Sequence, residues 1–179
     1  MGEEAERLES WPMKNPEFRD ATEDDFSRIR EIALKGWLFS YSYLPSGELR
    51  KLVNEYYSGK NLKMSLKKVK AGTDSFVVVE MVSKVIGFCH VTVKKMKGEL
   101  LRLYIDTDYI GKGIGKKLLL KCEEFLMSKG CRKYFTFANM HNKIGMDFYL
   151  RNGFVRLPEK DKEDEFRNGK VLWHMEKEL

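Results

Sequence analysis

Residues Ile110 to Gly115 read IGKGIG and lie between an apolar, β-rich run, Leu100 to Ile105, and a segment of helical periodicity. Strand, glycine-dense turn and helix start, in that order, can hold a phosphate ester. Glycine lets the main chain approach the anion, and the free N–H groups of a helix's first turn point at it. Gly111, Lys112, Gly113, Ile114, Gly115 and Lys116 are therefore candidates for contact with a phosphorylated cofactor. Ordinary turn chemistry is the competing reading of the loop taken alone. Two phosphate chemistries are disfavoured by the residues themselves. Gly115 is followed by Lys116 and Lys117, so the hydroxyl that holds magnesium in a nucleoside triphosphatase is missing. The three glycines alternate late in the chain, whereas a dinucleotide loop reads G-x-G-x-x-G near the start of its sheet.

Lys112, Lys116, Lys117 and Lys121 surround the start of the following helix, where positive charge suits phosphates; solvent-facing lysines are the plainer reading. The formal charge of +6 over 179 residues also raises nucleic acid as a partner. Acidic residues are interspersed, however, and the lysine-rich stretch Lys51 to Lys70 carries its apolar residues at helical spacing, so no nucleic-acid partner is expected. Cys89, Cys122 and Cys131 form no C-x-x-C pair and read as reduced, buried thiols; no metal is expected. An apolar content of 42% in a chain of this length suits one domain, read over residues 14–179 behind a polar extension, 1–13. No apolar run reaches the roughly 18 residues of a membrane span. The opening GEEAERLES lacks the basic and apolar regions of a signal peptide, which points to the cytoplasm.

The elements that must position these residues follow from periodicity. Phe18 to Ala21 is a short strand, and Thr22 with Asp25 resembles a capping box ahead of a helix carrying Phe26, Ile29, Ala33 and Trp37. Leu49, Leu52, Val53 and Tyr56 mark a second helix, and Leu62, Leu66 and Val69 a third. Phe76 to Met81, Val85 to Val93 and Glu99 to Ile105 read as sequential antiparallel strands, turned at Ser83-Lys84 and Lys97-Gly98. Ile114, Leu118, Cys122 and Phe125 give the loop's helix its buried stripe, and Gly130 ends it. A strand over Lys133 to Ala138, a helix over Asn142 to Arg151, a strand over Phe154 to Leu157, a solvated loop over Glu159 to Glu165 and a turn at Asn168-Gly169 lead to a last strand, Val171 to Met175. The fold class is α+β, with a mixed, mostly antiparallel central sheet flanked by helices.

The loop resembles the acyl-CoA pyrophosphate motif of the GNAT superfamily of N-acetyltransferases, Q/R-x-x-G-x-G/A, with Ile110, Gly113 and Gly115 on the pattern. Ile110 replaces the usual Gln or Arg, which removes one polar side chain. Downstream, Asn142 to Phe154 reads NKIGMDFYLRNGF and resembles N-x-x-A-x-x-F-Y-x-x-x-G-F, with Gly145 where alanine is commoner. Both motifs stand in family order and cover Leu100 to Phe154. Trp37 to Leu44 (WLFSYSYL), Arg102 to Ile105 and the FYLRNGF segment are also similar to the PaiA-type polyamine N-acetyltransferases.

The resemblance implies acetyl-CoA as co-substrate, lying in a splay between the strand before the loop and the strand after its helix. It implies that the main chain of Leu103, Tyr104 and Ile105 holds the pantetheine arm, that Tyr149 protonates the departing sulfur, and that Asn142 contacts the cofactor. Asn142 as a simple N-cap is the alternative. Direct transfer to a small amine such as spermidine is expected. A protein or peptide acceptor, and a domain that binds acyl-CoA without catalysis, are the competing readings. Glu99 shares strand parity with Leu101 and Leu103 and is the candidate base, with His90 as competitor and water as a third possibility. Trp37, Phe39, Tyr41 and Tyr43 offer either an aromatic wall for an alkylammonium stem or a lid over the core. Asp24, Asp25, Glu80 and Asp106 are carboxylates available to a polycation, and the protein is expected as monomer or homodimer.

Overall fold

The computed structural model describes residues 15–164 and 170–179; the readings of residues 1–13 and of the Asn168-Gly169 turn lie outside the described residues. Strand β1 (Glu17–Asp20) is followed by helices α1 (Phe26–Ser40), α2 (Ser46–Tyr56) and α3 (Gly59–Lys70). Strands β2 (Asp74–Met81), β3 (Lys84–Lys94) and β4 (Lys97–Ile105) form a meander that leads through the glycine loop into α4 (Ile114–Ser128). Then come β5 (Lys133–Asn139), α5 (Lys143–Arg151), β6 (Val155–Arg156), β7 (Lys162–Asp164) and β8 (Lys170–Glu178). The strands make one sheet in the order β1-β2-β3-β4-β5-β8-β6, with β7 also on β8. Every pairing is antiparallel except β4 with β5, because α4 carries the chain back to start β5 beside β4.

Side chains alternate across β2, so the strand feeds two cores. Ile29, Ile32 and Trp37 of α1, Val53 of α2 and Leu62 of α3 bury against Phe76, Val78 and Phe88 on one face. Ile114, Leu118, Cys122 and Leu126 of α4 and Met146 of α5 bury against Val77, Val79, Cys89 and Leu100 on the other. Burial on both faces explains why β2 and β3 read as continuous apolar runs rather than alternating ones. All three cysteines are buried and free, and the thiols of Cys89 and Cys122 meet at 2.7 Å between β3 and α4.

Several boundaries differ from the sequence reading. The two hairpin turns fall at Val82-Ser83 and Lys95-Met96, with Lys84 and Lys97-Gly98 already paired in strands. All four turn residues have positive φ without being glycine or asparagine, so nothing in their chemistry announced them. The loop expected over Glu159 to Glu165 overlaps a 3-10 turn, Pro158–Lys160, and includes strand β7, whose charged sequence hides its pairing with β8; Glu165 lies outside the described residues. The strand expected over Phe154 to Leu157 shrinks to Val155–Arg156.

The sheet opens at its centre. The β4–β5 register consists of Gly98 opposite Tyr134 and Glu99 opposite Phe135, and Thr136 Oγ1 donates to the carbonyl of Leu100 at 2.8 Å as a last link. From Leu101 onward β4 keeps β3 on one side and, among the described residues, has no strand on the other. Leu101 is also the extra residue of a bulge, since Val91 faces Leu100 while His90 faces Arg102. The bulge corrects the expected parity: Leu103 and Ile105 pack in the α4 core, whereas Glu99 shares the opposite face with Arg102 and Tyr104.

Candidate active site

The glycine loop begins where β4 ends. Asp106 is fully buried, ion-paired with Arg28 and, at 3.4 Å, with Lys35. Burial raises its carboxyl pKa, but the hydrogen bond from Arg28, the Asp108 amide and the two cations outweigh it and hold the group below its ordinary range. This anchor fixes the 3-10 turn Thr107–Tyr109. Gly111 and Gly113 then adopt φ of 83° and 75°, a left-handed conformation that an L side chain enters only at a cost of about 1–2 kcal/mol. Gly113 is the N-cap of α4, and among the described residues no side chain caps this helix. The first-turn amides of Ile114, Gly115 and Lys116 have no intrahelical acceptor. Lys112, Lys116 and Lys117 are exposed around them, as is Ile110.

Beside this helix start lies the opened strand pair. Tyr149 of α5 packs its ring on Phe154 at 5.1 Å. Burial pushes its phenol well above the ordinary tyrosine pKa; Cys89 and Tyr41 add to that, and Thr136 offsets part of it. Thr136 is also the residue that ties β5 to the Leu100 carbonyl of β4. Asn142 is the N-cap of α5, its Oδ1 accepting from the Gly145 amide at 3.0 Å. A Cβ on residue 145 would lie 2.6 Å from the Asn142 amide nitrogen, which accounts for glycine where the motif usually has alanine.

Over the other face an aromatic arch spans the opening. Trp37, the last residue of the helical stripe read from sequence, belongs to the last turn of α1, and its Nε1 donates to Tyr104 Oη of β4 at 2.8 Å. Tyr41 stands edge-on to both Trp37 (5.8 Å) and Tyr43 (6.3 Å). Tyr43 reaches β5, donating to Asn139 Oδ1 at 3.4 Å and lying 5.0 Å from the His141 ring. Phe39 points away, 53% exposed, and is not part of the arch.

The basic candidates separate. Glu99 is half-buried at the paired end of β4, on the face of the arch. His90 is 1% exposed; its Nε2 is 2.8 Å from Asp74 Oδ2, and its Nδ1 is 3.4 Å from Arg102 NH1. With Nε2–H donating to the carboxylate, Nδ1 accepts from Arg102, so neither nitrogen can meet an incoming amine. Of the four carboxylates offered to a polycation, Asp25 and Glu80 share Arg19 and Asp106 is held by Arg28 and Lys35; they do not converge. Sequence reasoning missed Thr136, Asn139 and His141, whose only signal was their position in and just beyond the strand that follows the loop's helix. It also missed Arg102 as the partner that occupies His90.

The model of the acetyltransferase (GNAT) family matches residues 17–154. The chain belongs to that family. It is 31% identical over 150 residues to a spermidine N(1)-acetyltransferase of Thermoplasma acidophilum, covering 83% of this chain and 92% of that protein. Among solved structures, PaiA N-acetyltransferase of Thermoplasma acidophilum in complex with coenzyme A superposes with a TM-score of 0.82 at 27% identity, over 92% of this chain and 99% of that one. Ard1 of Thermoplasma volcanium, at 14% identity, shares the fold with a TM-score of 0.72 over 92% and 97%. The opened β4–β5 pair, the uncapped glycine loop and the α5 tyrosine thus belong to a GNAT N-acetyltransferase. Among the described residues no helix is long and apolar enough to cross a membrane.

Proposed function

We propose that this GNAT protein transfers an acetyl group from acetyl-CoA directly to a primary amine of a linear polyamine such as spermidine. The observation that carries the reading is the opened strand pair beside an uncapped, glycine-led helix start. The residues present fit acetyl-CoA: the amides from Ile110 to Lys116 suit its diphosphate, and the main chain of Leu103, Tyr104 and Ile105, without a strand partner on the β5 side, suits its pantetheine amides. When bound, the thioester supplies an activated acetyl carbon and a thiolate leaving group.

The chain's own residues then have separate tasks. Main-chain N–H groups at the bulged end of β4 polarise the carbonyl. Tyr149, kept protonated by burial, gives its proton to the leaving sulfur. Asn142 orders the start of α5 and so the placing of Tyr149, and its amide nitrogen is available to the cofactor. The amine enters from the face of Trp37, Tyr41 and Tyr43, whose rings suit an alkylammonium chain. Glu99, on that same face, takes the ammonium's proton through water. The polyamine acceptor is supported by this arch and by the spermidine N(1)-acetyltransferase relative.

Thiol release from acetyl-CoA with a panel of amines tests the reading. Turnover with spermidine or spermine is expected. Turnover with peptide N-termini and none with any polyamine overturns the acceptor; no turnover with any amine overturns catalysis.

A further inference from the structure

At the paired end of β4 and β5, away from the glycine loop, a cavity of about 460 Å³ opens between the Lys95-Met96 turn, the α4–β5 connection and β8. Its floor contains His174, 6% exposed, whose imidazole stacks on Phe135 at 4.9 Å and 16°. His174 Nε2 has no hydrogen-bond partner among the described residues. The nearby Glu176 Oε2 is 3.6 Å away, too far for a hydrogen bond. A buried ring nitrogen left in this state lacks the partner that burial normally demands.

The charge around it is lopsided. Among the described residues Glu176 is the only acidic one lining the cavity, and two ammonium groups converge on it, Lys133 at 2.9 Å and Lys160 at 3.3 Å. Lys133 also faces Glu178 across the β5–β8 pair, while Lys97 and Arg132 add two positive charges at the rim. The remaining wall is apolar, with Met96, Tyr134 and Phe135.

We propose that this cavity is a second ligand site, for a small organic anion: a carboxylate or phosphate monoester with a planar, apolar body. The anionic group meets the Lys133 and Lys160 ammoniums. The His174 ring forms the floor beneath the same group, and the body lies against Met96 and Phe135. The site is separate from the diphosphate end of the acyl site: it begins at Gly98 and the glycine loop follows Ile105, which puts roughly 20 Å of strand between them, while its wall residue Phe135 pairs with Glu99 and so adjoins the acceptor side. Cations at this mouth disfavour a polyamine, so the ligand is not the acceptor.

The test follows the imidazole NMR signals of the full chain during titration with phenyl phosphate, benzoate, inorganic phosphate and benzylamine. Each titration is run without CoA and then with saturating CoA. A saturable shift of the His174 signal with phenyl phosphate or benzoate is expected, saturating below millimolar concentration and unaffected by CoA. Which of the two binds more tightly identifies the anionic group. Lys133→Met, at an exposed position, should weaken the binding at least several-fold. A non-saturating response, an equal response to benzylamine, or no preference over inorganic phosphate overturns the proposal, the last meaning an adventitious ion only. Displacement by CoA assigns the ligand to the acyl site and overturns it as well. None of these readouts requires turnover, so the proposal stands or falls separately from the acetyltransferase reading.

Discussion

Tyr149 carries the sharpest consequence of a single side chain. Its folded-state pKa is raised by burial, so the phenol is the dominant form throughout the neutral range and remains so past the ordinary value of about 10. Tyr149→Phe should lower kcat by roughly a hundred- to ten-thousand-fold, the span expected of a lost general acid, while calorimetric CoA affinity changes little. A variant with wild-type turnover would remove Tyr149 from the chemistry. Glu99→Gln should lower kcat/KM; an unchanged value would leave water alone as base. The placing of Tyr149 on α5, Asn142 at its N-cap and the glycines before α4 was legible from motif spacing. Glu99 was read on the wrong side of β4, because a one-residue bulge at Leu101 reverses parity and leaves no mark in composition.

Elements turn these side chains into a site, and two of them make testable demands. Gly113→Ala places a side chain at φ 75° in the N-cap of α4, which should cost about 1–2 kcal/mol and weaken CoA binding measured by calorimetry. Gly145→Ala should be nearly neutral in stability, since the gain in helix propensity of roughly 0.5–1 kcal/mol opposes the displaced Asn142 cap. The β2–β3 pairing holds the Asp74–His90 contact. Burial lowers the His90 pKa and the Asp74 hydrogen bond recovers only part of it. Burial raises Asp74, but hydrogen bonds from His90, Thr92 and Thr73 outweigh it and leave the carboxyl below its ordinary value. Both folded-state pKa values are depressed, so the stability they contribute is present above the unfolded values. It is lost as pH falls, for His90 from about 6.5 downward and for Asp74 below about 4. Thermal melts should fall on acidification, and His90→Asn should be less stable at neutral pH with a shallower slope between about pH 7 and 5. Helices were legible from their stripes, whereas the hairpin turns were not, since Val82, Ser83, Lys95 and Met96 adopt positive φ without the residues that favour it.

At the scale of the whole molecule the α+β architecture follows the sequence closely. The meander β2–β3–β4 and the return through α4 are set by short turns and by one long amphipathic crossover. Sequence gave no sign of how far β5 would pair with β4, because that depends on twist and bulge geometry accumulated across the sheet. Saturation with CoA at about a hundred times its Kd should stabilise the fold by about 2.7 kcal/mol. For a chain of this size that amounts to a melting shift of roughly 5–10 °C. No shift in a differential scanning experiment would contradict a CoA site in this protein.

That shift has a mechanical side. The β1–β4 portion and the β5–β8 portion are joined, strand to strand, along a seam only two residue pairs long, and α4 leans on β2, β3 and β4. A molecule threaded between β4 and β5 would rivet the two portions together. Occupancy and cohesion then become one event, and the emptied protein is the one that parts most readily along that line.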